Sequence, residues 1–388
     1  MKKDGLRDVY VIGIGQTKFT KQPQFSAIEL GVQACGAAIK DAGIDPRKFQ
    51  VAWAGRIEQA STTAQAVLKS FGVHSIECMN VENACATGGA AVRGLWRDIA
   101  TGLYDVGIAM GVESLSTSPI AGKLVPTAKG NFLDLIGMPA IGNMAMAAQA
   151  LMQLRGHTME ELAYAAYKNH KAALYNPYAH YRKELSLEEI VNSEVIASPI
   201  TKLMCCPMSD GAAAVIMCTK EIAYQYTNNP VKMETAELVS GCFSTYDDDP
   251  AQRFPNLKLL SKLAYENSGC GPEDLNIIEL HDAYSPEELI TYENLLLCPP
   301  GETSKLIRDG VVEMGGRCPV NLSGGLLSLG HPLGASGARV VCDVVRQLRG
   351  QAPAEVQIPV RKCGMAEMVG GSVGRPGPEA GFMAIMTI

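Results

Sequence analysis

Two cysteines and two histidines have the residue types and the settings to do covalent chemistry. They are Cys85, His281, His331 and Cys363. A thiolate attacks electrophilic carbon, and an imidazole exchanges protons near neutral pH, so these residue types together favour nucleophilic catalysis. Any one of these residues alone is more often a core or turn residue. The neighbouring residues must therefore show whether it has a catalytic role.

Cys85 is the candidate nucleophile. It lies in the stretch 83–89 (Asn-Ala-Cys-Ala-Thr-Gly-Gly), directly before a predicted helix. The positive end of a helix dipole stabilises a thiolate, and small neighbours leave the sulfur reachable. They also leave the backbone N–H of Cys85 free to donate to an oxyanion. The alternative is a tight strand-to-helix turn that contains a thiol by coincidence.

Both candidate histidines occupy positions that would hold a ring in place. His331 lies between a glycine and a proline, and the proline makes this a rigid, non-helical turn. A ring fixed in this way can deprotonate a thiol; a surface histidine is the alternative. His281 follows the predicted strand 276–280, and sites gather at strand ends in α/β sheets. A histidine satisfied by Asp282 or by the backbone is the alternative there.

Cys363 is a second thiol, which follows the predicted strand 356–360. It could give or take a proton at a carbon atom, whereas core packing is the alternative. The twelve cysteines are scattered, without Cys-x-x-Cys spacing, and no His-x-x-x-His is present. The sequence therefore predicts neither a metal site nor a disulfide framework, and it favours a reducing, cytoplasmic location.

The composition excludes several classes of protein. The 388 residues include 34 Lys and Arg and 40 Asp and Glu, which gives a net charge of −6. There is no basic excess that would attract nucleic acid or anionic lipid. A hydrophobic content of 47% excludes global disorder, and no apolar run approaches the ~20 residues that span a bilayer. The pair Gly13 and Gly15 lacks the third glycine of a dinucleotide-binding loop.

The elements that must position these side chains occur twice. Strand, helix and strand patterns follow one another at 9–15, 26–42 and 51–54, and again at 236–241, 257–268 and 276–280. Both helices end in the pattern small-Gly-x-x-Pro-x-x-apolar, in which glycine caps the helix and proline blocks its continuation. The small-residue strings 83–90 and 331–338 can also be superimposed. An internally duplicated α/β fold follows from this order.

A helical, methionine-rich segment separates the two halves. It runs from 117 to 197, and Thr158 and Glu161 within it fit a capping box. Its methionines are Met138, Met144, Met146, Met152 and Met159. The segment is too apolar for a solvated linker, so we expect an inserted domain. The expected division is residues 1–116 with 198–231, then 117–197, then 232–388.

Several strings together resemble the thiolase superfamily over nearly the whole chain. They are residues 11–19, 83–89, 111–116, 209–215 and, most specifically, 320–325 with 330–337 (Gly-His-Pro-Leu-Gly-Ala-Ser-Gly). The resemblance implies duplicated βαβαβαββ halves in a five-layered αβαβα arrangement, with an inserted helical loop domain. Other thiolases usually carry Asn-Glu-Ala-Phe where this chain has His281-Asp282-Ala283-Tyr284. In this feature the chain resembles the sterol-carrier-type and archaeal-type branch.

The resemblance also implies an activity and a role for each candidate residue. Cys85 would attack a 3-oxoacyl-CoA and hold the acyl group as a thioester, which free CoA would then release. His331 would activate Cys85, His281 would complete the oxyanion site, and Cys363 would shuttle the proton at the α-carbon. Coenzyme A would be a co-substrate, and no metal or redox cofactor would be needed. A homodimer is implied as well, with a small zinc-ribbon/OB-fold partner subunit as an addition that this branch often has.

The sequence leaves alternatives open. Met365 stands where the family has glycine after the second cysteine, which puts the role of Cys363 in question, and Tyr284 adds a hydroxyl near the site. Related lipid-transfer-type aldolases use tyrosines, so a retro-aldol lyase is one alternative, although the retention of Cys85 disfavours it. A non-catalytic acyl-CoA-binding subunit and a condensing synthase are others. Methionines in the insertion favour a bulky or aromatic acyl group, as in thiolases of anaerobic aromatic degradation such as benzoylsuccinyl-CoA thiolase.

Overall fold

A nine-stranded mixed sheet runs through both halves of the chain in the computed structural model, which describes residues 5–57, 62–119, 121, 123, 135–241, 254–371 and 380–388. The strands are β1 Val9–Gln16, β2 Val51–Gly55, β3 Glu77–Val81, β4 Val106–Ser114, β5 Val195–Ala197, β6 Ile200–Thr201, β7 Asp210–Thr219, β8 Val231–Ser240, β9 Ile277–Glu279, β10 Cys363–Gly370 and β11 Ala380–Thr387. Strands β5 and β6 form a small separate pair.

Helices cover both faces of the sheet. They are α1 Ala27–Ala42, α2 Thr63–Lys69, α3 Thr87–Ala100, α4 Ala140–Arg155, α5 Met159–Ala173, α6 Leu187–Val191, α7 Lys220–Tyr226, α8 Pro255–Ser268, α9 Ser285–Asn294, α10 Thr303–Arg308, α11 Gly325–Leu329 and α12 Leu333–Arg349.

Strand pairing repeats between the halves. In the first half, β2 is parallel to β3 and β4, β4 is antiparallel to β7, and β7 is antiparallel to β1. In the second half, β9 is parallel to β10, β10 is antiparallel to β11, and β11 is antiparallel to β8. Strands β1 and β8 join the halves through two residue pairs. The predicted duplication is confirmed.

Alternating side chains create the layers. Phe382 and Val11 point into one core with α3 and α12. Their neighbours point the other way, Met383 toward α8 and α9 and Ile12 toward α1 and α2. Successive residues of a strand face opposite sides of a sheet, so α3 and α12 lie between the two halves, and α1, α2, α8 and α9 lie outside. This is the expected five-layered αβαβα order.

The two small-residue strings are where the central helices touch. A Cβ atom on Gly88 would lie 2.7 Å from the nitrogen of Ala338 and from the oxygen of Gly334. One on Gly337 would lie 2.2 Å from the nitrogen of Gly89. No side chain fits at such distances, so glycine is required at the contact between α3 and α12.

Local helix signals are confirmed. Helix α1 begins with a capping box between Ser26 and Glu29, and α5 with the predicted one between Thr158 and Glu161. Gly43 and Gly269 both end their helices in the left-handed conformation. These features depend only on neighbouring residues, which is why the sequence predicts them.

One predicted strand is wrong. Residues 356–360 form turns and irregular chain, and the strand of this region is β10, which begins at Cys363. Pro359 lacks the N–H that a central strand needs, which accounts for the error. Cys363 therefore stands at the start of a strand and not after the end of one.

Candidate active site

Cys85 lies in a tight turn just before α3. The N–H of Ala86 donates to the carbonyl of Asn83 at 3.1 Å, and the N–H of Thr87 donates to that of Ala84 at 3.0 Å. Ala84 adopts a positive φ of 48° within this turn. The side chain of Cys85 is half-buried. The predicted strand-to-helix turn with a reachable thiol is therefore present.

A single extended segment holds the two histidine loops together. The N–H of Cys206 donates to the carbonyl of Ala283 at 2.9 Å, and the N–H of His331 donates to the carbonyl of Pro207 at 3.1 Å. His281 precedes Ala283 by two residues, directly beyond β9. The adjacent residues 206 and 207 thus fix the chains that carry both rings.

The fold brings Cys85, His281 and His331 into one cluster. The sulfur and one ring nitrogen of each histidine all lie within 4.8 Å of one another. The two ring centres are 5.2 Å apart, with one ring edge toward the other face. Both histidines are buried. Three of the four predicted site residues meet, although 246 positions of sequence separate the first from the last.

Each histidine is held through Nδ1, which leaves Nε2 for chemistry. His281 Nδ1 lies 2.8 Å from Glu287 Oε1, and His331 Nδ1 lies 2.8 Å from Ser336 Oγ. Ser336 donates its own hydrogen to the carbonyl of Pro332 at 3.0 Å, so it accepts from His331 Nδ1–H. Both Nε2 atoms are buried without a hydrogen-bond partner in the described structure. The hydrogen bonds therefore assign the free lone pair of a neutral His331 to Nε2.

The two rings differ in charge. Burial lowers the pKa of His281, but the Glu287 carboxylate and then Cys85 outweigh it, and the pKa lies well above its ordinary value. Burial, the His281 charge and Arg339 hold the pKa of His331 well below its ordinary value. The surroundings thus favour the protonated form of His281 and the neutral form of His331. Two groups whose surroundings separate their pKa values in this way suit acid and base roles.

Cys363 is not part of the cluster, which corrects the prediction for that residue. It begins β10, whereas Gly370 at the other end of β10 lies against the Cys85 turn. Seven residues of a strand span roughly 23 Å. Burial and then the neighbouring Cys270 raise the pKa of the Cys363 thiol far above its ordinary value. Its position and its surroundings are those of a core thiol.

Three residues that contact the cluster were not predicted from the sequence. Glu287 and Ser336 hold the two rings, as described. Glu367, in the middle of β10, accepts the backbone N–H of His281 at 3.0 Å, and burial raises the pKa of this carboxyl to about 8. The sequence signal for Glu367 was a single glutamate within the apolar run 365–370. Burying a carboxylate in a strand costs free energy, so such a residue is a candidate for a functional role.

An apolar cavity of about 310 Å³ leads to His331. The insertion contributes Ile141, Tyr181 and Ile196 to its wall, and Tyr284 lines it near the cluster. Among the described residues that line it, none of the five methionines at 138–159 is present. The insertion thus shapes the cavity, but its methionines pack elsewhere.

The comparisons with known proteins agree with this geometry. The thiolase N-terminal domain family matches residues 9–221, and the thiolase C-terminal domain-like family matches residues 246–376. The chain belongs to the thiolase family. The enzyme is an acyltransferase.

The relatives confirm the predicted branch. This thiolase is 40% identical to benzoylsuccinyl-CoA thiolase subunit BbsB of Thauera aromatica, with 94% of this chain and 95% of that protein covered. It is 35% identical to bovine sterol carrier protein 2, over 93% of this chain and 70% of that protein. It is 33% identical to acetyl-CoA acetyltransferase of Methanothermobacter thermautotrophicus, over 95% and 98%.

Solved structures share the fold. The Ltp2–ChsH2(DUF35) aldolase superimposes with a TM-score of 0.84 at 25% identity, covering 97% of each chain. Human mitochondrial 3-ketoacyl-CoA thiolase superimposes with a TM-score of 0.74 at 19% identity, covering 99% of each chain. Within the described part of this thiolase, no helix has both the length and the apolar character to cross a bilayer.

Proposed function

We propose that this thiolase cleaves a 3-oxoacyl-CoA with CoA through an acyl thioester on Cys85. The convergence of the Cys85 sulfur with one ring nitrogen of His281 and one of His331, all within 4.8 Å, carries the proposal. The cluster combines a thiol nucleophile, a neutral base and a cationic donor, which are the groups that acyl transfer needs.

The first half-reaction forms the acyl-enzyme. His331 Nε2 takes the thiol proton, and the Cys85 thiolate attacks the 3-oxo carbon. The oxyanion accepts from the His281 imidazolium, a contact of a kind worth about 3–4 kcal/mol in the transition state. The bond between carbons 2 and 3 breaks, its electron pair forms the enolate of the shortened acyl-CoA, and protonated His331 returns the proton to carbon 2.

The second half-reaction releases the acyl group. His331 takes the proton of the CoA thiol, and the CoA thiolate attacks the carbonyl carbon of acyl-Cys85. The oxyanion again accepts from His281. The tetrahedral species expels the Cys85 thiolate, which regains its proton from His331. This second step exchanges the Cys85 thioester for a CoA thioester of similar energy, so the acyl-enzyme is not a deep energy minimum. These steps draw on the chain's own residues and on coenzyme A as co-substrate.

The acyl group that we propose is bulky or aromatic. The cavity beside His331 is lined mainly by apolar side chains, with Tyr181 and Tyr284 among them. Aromatic walls of this kind suit a flat apolar group. The relative that is 40% identical is named a benzoylsuccinyl-CoA thiolase, which agrees with such a substrate.

A retro-aldol lyase is the second candidate. Tyr284, which lines the cavity next to the cluster, is a potential proton donor, and burial raises the pKa of its hydroxyl well above the ordinary value. The superimposable Ltp2–ChsH2(DUF35) protein is named an aldolase. An aldolase needs no covalent acyl group on Cys85, and this difference separates the two candidates.

We further propose that the thiolase acts in the cytoplasm as a homodimer with a second, small subunit. One relative is named as a subunit, and one structural neighbour is named as an assembly with a DUF35 chain. A zinc-ribbon/OB-fold chain remains the form of partner that we expect. Size determination of the complex purified from native extract, with identification of each chain, tests this proposal.

The test of the activity is a thiolysis assay on a panel of 3-oxoacyl-CoA esters, with detection of the acyl-enzyme by mass spectrometry. We expect an acyl adduct on Cys85, loss of turnover after alkylation by iodoacetamide, and no adduct in Cys85→Ala. Cys270→Ala is the matched control and should keep the adduct on Cys85. Normal turnover in Cys85→Ala would refute the thiolase mechanism, and CoA-independent release of an aldehyde or ketone would favour the lyase.

A further inference from the structure

The catalytic cluster is also a set of metal ligands. The Cys85 sulfur and one ring nitrogen of each histidine lie within 4.8 Å of one another, and no other such group of three occurs in the described part of the chain. Both Nε2 atoms are buried and have no hydrogen-bond partner in the described structure. Thiolate and imidazole are the ligands that zinc prefers, and three protein ligands with an open fourth position are a usual zinc arrangement.

The groups behind the rings strengthen this reading. A metal-binding histidine almost always donates its other ring N–H to a carboxylate, carbonyl or water, which fixes the ring and raises its basicity. His281 has a carboxylate, Glu287, at 2.8 Å from Nδ1, and His331 has the hydroxyl of Ser336 at the same distance. Both rings are therefore held through Nδ1, which leaves Nε2 as the ring nitrogen available to a metal ion.

We propose that Cys85, His281 and His331 bind one thiophilic divalent cation, zinc in the first place, and that its binding blocks acyl transfer. The blocking effect rests on the proposed function of Cys85, whereas the binding does not. The metal replaces the proton of the Cys85 thiol and the Nε2 proton of the His281 imidazolium, both of which leave to solvent, and it takes the free lone pair of His331 Nε2; nothing is oxidised. The Cys85 thiolate and the Glu287 carboxylate together balance the double charge of the ion.

The distances permit such a complex. Tetrahedral zinc, with bonds of 2.3 Å to sulfur and 2.0–2.1 Å to nitrogen, separates its ligand atoms by about 3.5 Å. From the 4.8 Å limit, the three atoms must therefore approach one another by about 1.3 Å at most. Cys85 is half-buried and lies in a turn of small residues, so its side chain can rotate without displacing the core. The cavity beside His331 leaves room for water as the fourth ligand.

Sequence motifs do not reveal this site, because its ligands are far apart in the chain. The spacing of structural zinc sites brings cysteines or histidines within a few residues of each other. Here His281 lies 196 residues after Cys85, and His331 lies 50 residues after His281. The packing of α3 against α12, together with the strand order that places the end of β9 beside them, makes the three residues neighbours.

Cobalt substitution tests the site without reference to activity. Chelator-treated full-length protein, in buffer free of thiols, is titrated with Co²⁺. We expect one equivalent to produce a thiolate-to-cobalt charge-transfer band and the visible bands of four-coordinate cobalt, and we expect Zn²⁺ to abolish both. Cys85→Ser should lose the charge-transfer band, and His331→Gln should weaken binding at least tenfold. Glu287→Gln should weaken binding by roughly 10–100-fold, as loss of an outer-shell partner does.

Matched control variants test whether another thiol produces the cobalt band. Cys270→Ser and Cys363→Ser remove a thiol pair elsewhere in the core, and Cys206→Ala removes a sulfur that adjoins the cluster; all three should keep the band. Absence of the band in the wild-type protein, or its persistence in Cys85→Ser, would overturn the proposal.

Activity measurements then separate this proposal from the proposed function. One equivalent of Zn²⁺ should slow alkylation of Cys85 and formation of the acyl-enzyme, and a chelator should restore both. Undiminished acyl-enzyme formation in zinc-loaded protein would overturn the blocking effect. If the protein shows the band when cobalt is added but never forms an acyl-enzyme in its metal-free state, the thiolase mechanism is refuted and the metal site is retained.

Discussion

Gly370 lies directly against the main chain of Cys85. A Cβ atom on Gly370 would come within 2.6 Å of the Cys85 nitrogen and 2.7 Å of the Asn83 carbonyl oxygen. The last residue of β10 thus limits how closely the turn that carries Cys85 can approach the strand. The position of the sulfur relative to the two rings depends on this contact between the C-terminal half and the N-terminal half.

Substitution of Gly370 by Ala should therefore displace the Cys85 turn. The new methyl group meets backbone atoms, which cannot rotate away, and a misplacement of about 1 Å costs about 100-fold in rate. We expect kcat to fall by about that factor while the far-ultraviolet circular dichroism spectrum is retained.

Gly364→Ala is the matched control on the same strand. Its added Cβ atom would meet the side chains of Val344 and Ile277 at 2.6 and 2.8 Å, at the end of β10 away from the site. We expect a stability loss of about 1–3 kcal/mol from overpacking with kcat within about twofold of wild type. Equal loss of kcat in both glycine variants would contradict the special role of Gly370.

Substitution of Glu287 by Gln should impair the chemical step. The uncharged amide no longer stabilises the His281 imidazolium, and the oxyanion loses a cationic donor. We expect kcat to fall by roughly 10²-fold, the lower end of what a positioned acid contributes, with KM changed by less than about threefold. Steady-state thiolysis measures both.

The neighbouring Glu288 supplies a comparison for this variant. Its carboxylate pairs with Lys168 and accepts from Asn169 and Asn321, away from the histidines. Glu288→Gln should lower the midpoint of thermal unfolding and leave kcat within about threefold. If Glu288→Gln reduced kcat as strongly as Glu287→Gln, the ion pair with His281 would not be the cause.

Acid should destabilise the fold in part through His170. Burial lowers the pKa of His170 from 6.5 to about 4. The unfolded chain therefore binds a proton between these values that the folded chain does not, and stability is full above pH 6.5 and falls as the pH falls toward 4. A difference of this size is worth about 3 kcal/mol at most.

Urea unfolding of wild type and His170→Gln at several pH values between 8 and 4 measures this contribution. The free energy of unfolding of His170→Gln should decline less steeply below pH 6.5. His74→Gln, at an exposed position, should follow the wild-type curve. Parallel curves for all three proteins would show that His170 contributes nothing to the acid sensitivity.

Cys363 should be dispensable for turnover. Its thiol is buried at the end of β10 remote from Cys85, so Cys363→Ala should cost about 1 kcal/mol of stability and keep kcat within about twofold. Thiolysis kinetics with a folded variant decides the matter. Loss of turnover beyond about 100-fold, without loss of structure, would return Cys363 to the mechanism.

The sequence by itself determined the features that depend on adjacent residues. The caps at Ser26 and Gly43, the small-residue turn around Cys85 and the rigid turn at His331 all follow from local chain chemistry. The internal duplication could also be predicted from the sequence, because each half repeats the same order of strands and helices. Apolar residues near a proline misled the prediction for 356–360, since apolar character alone does not show whether the backbone can join a ladder.

Only the tertiary structure decided which of the candidate residues meet. The assignment of Nε2 as the reactive nitrogen depends on Glu287 and Ser336, whose hydrogen bonds exist only after the loops pack. The exclusion of Cys363 depends on the direction in which β10 crosses the molecule. Distances between residues such as 85, 281 and 331 arise from the packing of α3 against α12 and from strand order, and local sequence preferences carry no information about either.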